Sequence, residues 1–181
     1  MNQRFENISI NGRMAYVIMC VEAWLQVTYP DRDWAIVSET MWKATEINWG
    51  DWADIYVGYI PHVLLSYEEY GEDLSESFSE DIYNNLIKLY SGITSGNEDD
   101  PDDVLDYMLT KPHEMAMVYE GTRIGDGHES IEIIEKLEMV LNNNGIPLPD
   151  YQRLYFSNYE QLHGWGNNFD GRFLSIVLSK Q

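Results

Sequence analysis

The sequence predicts an all-α protein, built as an irregular bundle of about seven to nine helices in a single domain spanning residues 1–181. Three observations support this fold class. Apolar residues recur at intervals of three and four in most segments. Capping residues precede these segments, and glycine or proline follows them. A hydrophobic fraction of 44%, with 13 tyrosines and 6 tryptophans, is enough for one folded core.

The first predicted helix occupies residues 11–30, with Asn11 as its N-cap and Pro30 at its end. Cys20 falls within it and is predicted to be a small buried side chain; as the only cysteine, it excludes an internal disulfide. Glu22 interrupts the apolar run, so we predict no membrane crossing. One face of this helix carries the apolar residues Met14, Val17, Ile18, Val21, Trp24 and Leu25.

Two tryptophan-bearing helices are predicted next. The second helix covers residues 31–49 and is capped by Asp31 or Asp33. The third covers residues 51–65 and is capped by Asp51. Residues at helical spacing form a stripe on the second helix, which we predict to be buried: Trp34, Val37, Met41, Trp42 and Thr45.

Proline and glycine divide the middle of the chain. Pro61 is predicted to kink or end the third helix near Ile60. The polar and acidic residues 66–80 are predicted to form a loop or a short irregular helix. Ser79 then begins a helix that ends at Gly92. The predicted core residues of that helix are Ile82, Leu86, Leu89 and Tyr90.

An acidic connector, residues 95–103, is the best candidate for a subdomain boundary, although we keep a single domain. Its crowded carboxylates could attract a cation, but the connector lacks the alternating ligands, central glycine and final glutamate of an EF-hand loop. A solvated charged run is therefore the preferred interpretation. Beyond it, Pro112 is predicted to divide a helical segment into two short helices, and residues 121–127 are predicted to form a flexible loop.

The strongest amphipathic pattern lies in residues 128–145. This segment is predicted to be a helix with Glu138 on its solvent side and Gly145 at its end. A further helix is predicted to begin at Asp150. The residues predicted to face the core are Ile131, Ile134, Leu137 and Leu141.

The closing segment, residues 163–181, contains the sequence GWGNNFDG. It lacks the lysine and hydroxyl residue of a phosphate-binding loop, so we predict that its glycines form turns that let Trp165 pack onto the core. The apolar residues that follow fit a helix better than a strand, although the alternation from Phe173 to Leu178 keeps the strand open.

Charge is the most pronounced feature of the composition. The chain has 31 acidic and 11 basic residues, for a formal net charge of −20. Nucleic acid is a poor direct partner, because its binding depends on phosphate neutralisation by lysine and arginine. A basic protein is a good partner, since opposite fields speed association. Solubility alone is an equally simple reason for such acidity.

No catalytic residue, cofactor or metal ligand is predicted. The four histidines, His62, His113, His128 and His163, do not form an HExxH pattern, and a single cysteine cannot help to build a structural zinc site. Surface or capping roles are the preferred interpretation for all four. Residues 1–12 do not resemble a secretory signal, so a cytoplasmic location is expected.

The preferred partner-binding patch lies in the segment SYEEYGEDLSESF, which mixes aromatic and acidic residues. Tyrosine and tryptophan are enriched at interface hot spots, and the acids would meet a basic surface. The predicted binding residues are Glu68, Glu69, Tyr70, Glu72 and Asp73.

The opening NGRMAYVIMCVEAW, the tryptophans around NWGDW and the strong acidity resemble the all-α immunity proteins of bacterial polymorphic toxin systems. The resemblance covers mostly residues 10–60. It implies a bacterial, non-enzymatic protein that binds and neutralises a cognate toxin domain. A nuclease toxin would suit this chain, because nucleases present basic surfaces that an acidic protein can occupy.

Two other classes of function stay open. One is a small helical enzyme whose site is built from scattered Asp, Glu and His residues. The other is a regulatory adaptor that binds other proteins. A deep pocket with convergent acids and a histidine would favour the enzyme, whereas a shallow acidic face with exposed aromatic residues would favour binding.

Overall fold

The described part of the chain folds into α-helices joined by short turns, which confirms the predicted all-α class. The computed structural model describes residues 3–75, 77–119, 124–125 and 127–180. Within them, the only pairing of β type outside the helices is an isolated bridge between Ile8 and Asn158. The described residues form eight α-helices: α1 (Ile10–Thr28), α2 (Ala35–Trp42), α3 (Trp49–Tyr56), α4 (Pro61–Leu65), α5 (Glu72–Ser75), α6 (Glu80–Tyr90), α7 (Val104–Tyr119) and α8 (His128–Asn143).

Helix α1 is the centre of the bundle, and α7, α8 and α2 pack around it. Its cap is Ser9, whose hydroxyl accepts the backbone N–H of Gly12 at 3.1 Å. The prediction that Asn11 caps this helix is wrong, because Asn11 lies inside α1 and its side chain is buried. The predicted roles of Cys20, which is fully buried, and of the apolar face are confirmed.

Polar side chains accept backbone N–H groups near the starts of α2 and α3. The prediction that Asp31 or Asp33 caps the second helix is wrong, because the N-cap of α2 is Trp34, which makes no side-chain cap hydrogen bond. Asp33, one residue before the cap, accepts the N–H of Ala35 at 3.1 Å. Asn48, not Asp51, caps α3: its backbone is extended, and its side chain accepts the N–H of Gly50 at 2.8 Å. All five residues of the predicted stripe on the second helix are buried.

The predicted break near Ile60 is confirmed. A turn of 3₁₀ helix follows α3, Ile60 is extended, and Pro61 occupies the first position of α4. The acidic segment after α4 contains the single short helix α5, as expected. Ser79 caps α6, also as expected, although it is Tyr83 rather than Ile82 that is fully packed in the core.

Helix α7 continues through Pro112, so the prediction of two short helices is wrong. The proline removes one backbone hydrogen bond and disturbs the carbonyls of the preceding turn. The hydroxyl of Tyr56 donates to the carbonyl of Leu109 at 2.8 Å in that turn. Both halves of α7 stay aligned because they pack against α1, α3 and α8.

Glu138 on α8 faces inward, contrary to the prediction. Its carboxylate accepts the hydroxyl of Tyr16 at 2.8 Å and the guanidinium of Arg4 at 2.6 Å. Burial, followed by the nearby Cys20 and Glu138, raises the pKa of Tyr16 far above its ordinary value. The apolar face of α8 and the end at Gly145, which has a φ of 65°, are as predicted.

The last thirty described residues form turns rather than the two helices predicted for them. Asp150 caps only a single turn of 3₁₀ helix, Tyr151–Leu154. Near the end, the buried carboxylate of Glu22 holds the chain in place, because it accepts the hydroxyl of Ser175 at 2.6 Å and the N–H of Ile176 at 2.9 Å. Other one-turn 3₁₀ helices are Gln161–Gly164, Gly171–Leu174 and Leu178–Lys180.

The predicted loop at residues 121–127 falls mostly outside the described residues. The acidic connector 95–103 is tied into the fold by Asp103, whose carboxylate accepts hydrogen bonds from Thr94, Ser95 and the start of α7. One continuous cluster of buried apolar side chains extends from Phe5 to Val177.

Candidate functional site

The predicted patch at residues 68–73 carries four exposed carboxylates, on Glu68, Glu69, Glu72 and Asp73. Within the described part of the chain, none of the four forms an ion pair, so their charge is directed to solvent. Tyr70 is not exposed, in contrast to the exposed aromatic residues predicted for this patch. It is half-buried, and its hydroxyl donates to the carbonyl of Phe78 at 2.9 Å.

Many of the basic side chains bind acceptors of the protein itself. Arg13 is fully buried and donates to the carbonyls of Phe5, Ile8 and Gly127. Such contacts remove positive groups from the surface and leave the acids of the patch uncompensated. Other basic residues with intramolecular partners are Arg4 on Glu138, Arg32 on carbonyls at the end of α6, Lys111 on Glu114, and Arg172 on Asp170.

Asp170 and Arg172 form an exposed, bidentate pair with N···O distances of 2.8 and 2.7 Å. The hydrogen bonds that Arg172 donates are the largest cause that lowers the pKa of Asp170, to about 2. The pair is fixed locally because the two residues are separated by one position, so it stiffens the turn rather than offering a free charge.

A histidine and an aspartate come together between α4 and α7. His62 Nδ1 lies 2.9 Å from Asp106 Oδ2, and the backbone N–H of His62 donates to Asp106 Oδ1 at 2.8 Å. A cleft of about 330 Å³ borders the pair. Since Asp106 holds both the ring and the first turn of α4, this arrangement fits a structural role for the histidine. It differs from the predicted surface or capping role, because the ring is half-buried and the residue that accepts the helix N–H is Asp106.

The described residues give no support to a metal centre. Among them, no three His, Cys, Asp or Glu side chains converge as a bound metal would require. His128 lies 3.0 Å from Glu132, one helical turn away on α8, and both are exposed.

A pocket of about 670 Å³ lies beside the start of α1 and was not predicted from the sequence; we call it the Asn11 pocket. Trp49, Tyr119 and Trp165 form its aromatic wall, with ring centroids 5.5–6.3 Å apart and steeply tilted planes. Leu162 and Asn168 also line the pocket. The described residues on this lining carry no carboxylate, imidazole or thiol.

Asn11, one of the residues that line this pocket, carries an unsatisfied acceptor. Its Nδ2 donates to the carbonyls of Thr45 at 3.2 Å and Asn167 at 3.1 Å, which fixes the orientation of the amide. Its Oδ1 is buried and has no hydrogen-bond partner among the described residues. Such an atom is costly to leave unpaired. The sequence does hold a signal, because Asn11 starts an otherwise apolar face.

The closing segment also lines the pocket, through Trp165, Gly166 and Asn168. The carbonyl of Trp165 accepts the backbone N–H of Asn11 at 2.9 Å, so this segment completes the N-terminal turn of α1. A side chain on Gly166, whose φ is 81°, would place Cβ 2.1 Å from the Ser9 hydroxyl. The prediction that the glycines let Trp165 pack onto the core is therefore confirmed.

Backbone strain is concentrated at the rim of the Asn11 pocket. Leu162 and His163 both have left-handed backbones, with φ of 44° and 57°, and they are the only non-glycine described residues that do. Each such residue costs about 1–2 kcal/mol. Leu162 has 59% of its surface exposed, so burial of this side chain does not offset the cost.

Comparison with known proteins gives no relationship: the chain matches no protein-family model, no curated protein and no solved structure. In the described part of the chain, none of the helices combines the length and apolar character that crossing a membrane demands.

Proposed function

We propose that this protein is an immunity protein that binds a cognate bacterial toxin domain with a basic surface, such as a nuclease, and neutralises it in the cytoplasm. The observation that carries the proposal is the acidic patch at residues 68–73, where four exposed carboxylates have no intramolecular counter-charge among the described residues. The partner surface is the four carboxylates of Glu68, Glu69, Glu72 and Asp73, with Tyr70 supporting the loop from within.

Electrostatics gives this patch a defined physical role. A net charge of −20 attracts a basic protein over about one Debye length, roughly 8–10 Å at physiological salt. The attraction raises the association rate more than it lowers the dissociation rate. A toxin that binds nucleic acid must expose lysine and arginine, so its own substrate site is the surface that this patch would cover.

The test is a charge reversal with a matched control. The quadruple variant E68K/E69K/E72K/D73K and a control that reverses the exposed Glu6, Glu98, Asp99 and Glu135 both change the net charge from −20 to −12. The proposal predicts a toxin gene next to the gene of this protein, and association with the toxin domain of that gene product is followed by stopped flow at low and high salt. We expect the patch variant to associate about tenfold more slowly than the control at low salt. Equal rates for the two variants reject the patch, and no binding of the toxin domain rejects the function.

The enzyme alternative depends on the pair of His62 and Asp106, where an imidazole and a carboxylate meet beside a cleft. Its weakness is that Asp106 is occupied by the start of α4. Replacing His62 with asparagine leaves toxin neutralisation unchanged if the protein acts by binding. A loss of neutralisation without a loss of toxin affinity would favour the enzyme.

A further inference from the structure

We propose that the Asn11 pocket is a binding site for a guanidinium group, presented by an arginine side chain of the basic partner. The chemistry of the group follows from the pocket itself. Only its source, an arginine on a protein, depends on the function proposed above.

The first argument is the unpaired acceptor. Asn11 Oδ1 lacks a partner, and the amide cannot rotate to change this because Nδ2 is held by two carbonyls. Oδ1 is closed to solvent, so a ligand reaches it only where the pocket lining opens, and it must then bring an N–H or O–H donor. A carboxylate or a phosphodiester brings no donor at neutral pH, and the net charge of −20 repels any anion. A guanidinium has five N–H donors and no acceptor.

The second argument is the aromatic wall. Trp49 and Tyr119 are buried, and the indole of Trp49 donates to the carbonyl of Ala44 at 2.9 Å, so these two rings form a fixed backing. Trp165 is half-buried and packs against both of them. A planar cation can stack on the exposed part of the Trp165 indole and contact its negative face. An ammonium group is more strongly hydrated and does not stack, so lysine is the poorer fit.

The third argument is the set of residues around the opening of the pocket. Leu162 projects there from a strained left-handed turn, where it can cover the aliphatic part of an incoming side chain. Ile47, which is also partly exposed, adds a second apolar contact. Asp51 is exposed and follows the lining residue Gly50, so the surrounding charge favours a cation. Strain of this kind is typical of binding sites, where it positions a contact that packing alone does not require.

The test uses the isolated protein and small probes. N-acetyl-L-arginine methylamide, the corresponding lysine amide and N-acetyl-L-tryptophanamide are titrated while backbone amide resonances are followed by NMR. We expect the arginine amide to shift resonances around Asn11 and Trp165 and to bind at least about fivefold more tightly than the lysine amide. Tighter binding of the tryptophan amide, or no shifts with the arginine amide, overturns the proposal.

Two variants and a control make the result specific. Trp165→Leu removes a ring of the wall and should weaken the arginine amide about tenfold. Leu162→Gly relieves the strained turn, leaves the fold intact and should weaken it about threefold. The control, Phe173→Ser, changes a 60% exposed aromatic residue that does not line the pocket, and should leave affinity unchanged. Equal affinity in all of these proteins rejects the site. The NMR titration contains no toxin, so its failure would reject the guanidinium site without rejecting the acidic patch. Failure of the charge-reversal experiment would reject the patch without rejecting the site.

Discussion

Replacing Glu22 with glutamine tests whether a buried carboxylate holds the end of the chain in place. Glu22 is fully buried, and Oε1 accepts hydrogen bonds from Ser38, Trp42 and Ser175, while Oε2 accepts the N–H of Ile176 at 2.9 Å. Glutamine has one acceptor oxygen. If that oxygen takes the place of Oε1, its NH₂ group faces the N–H of Ile176, donor against donor. Losing a hydrogen bond to a charged group and leaving a buried donor unpaired costs about 3 kcal/mol in total.

Urea unfolding measures this loss as a change in the free energy of unfolding at constant m-value. The matched control is Glu138→Gln, since Glu138 also accepts from a buried hydroxyl, that of Tyr16, but its other partner Arg4 is 36% exposed. Water can replace that partner, so we expect a loss of only about 1 kcal/mol. Hydrogen exchange at the Ile176 amide should accelerate only in the Glu22 variant. Equal losses in the two variants, or a loss below about 1 kcal/mol for Glu22→Gln, would refute the reasoning.

Three other changes have defined outcomes. Leu162→Gly should raise the free energy of unfolding by about 0.5–1 kcal/mol, because glycine adopts the left-handed backbone without strain and little apolar burial is lost; an unchanged or lower value contradicts this. Tyr56→Phe should lower it by about 1 kcal/mol, since the carbonyl of Leu109 beside the proline of α7 loses its partner; thermal unfolding measures the loss, and no change would mean that the bond is dispensable. Burial raises the pKa of Asp103, but hydrogen bonds, first from Thr94, lower it more, so the folded pKa lies below the ordinary value. The stabilisation that ionised Asp103 gives the fold is therefore complete above the ordinary aspartate pKa of about 3.9 and is lost as the pH falls through the folded pKa. Asp103→Asn should have a lower free energy of unfolding than the parent at pH 7, and this difference should narrow below about pH 4.

Local signals predicted the helices well where the chain itself sets the boundary. Ser79 caps α6, Pro61 starts α4, and Gly145 ends α8, because each depends on backbone geometry within one turn. The same logic failed for Asn11, which is a residue type common at N-caps. Its side chain instead donates to the carbonyl of Thr45, far along the chain. A short polar residue cannot reveal from its neighbours which of the two roles it takes.

Polar residues in the core were the main source of error. Glu138 occupies a position that looks solvent-facing by periodicity, yet Arg4 and Tyr16 reach it from distant parts of the sequence. Glu22 was likewise predicted only to interrupt the apolar run of the first helix, whereas its partners come from α2 and from the closing segment. Spacing along one helix carries no information about such partners, and the rim of the Asn11 pocket was missed for the same reason.

The bond from Ile176 to Glu22 also bears on how the protein is made. A ribosome adds residues at about 5–20 per second, so many seconds pass between synthesis of the first helix and of the residues that complete the acceptor set of its carboxylate. During that interval the carboxylate of Glu22 has only Ser38 and Trp42 as donors, and its Oε2 lacks the N–H of Ile176. We therefore expect nascent chains stopped before Ser175 to stay loosely packed and sensitive to protease, and the final native packing to follow translation rather than accompany it.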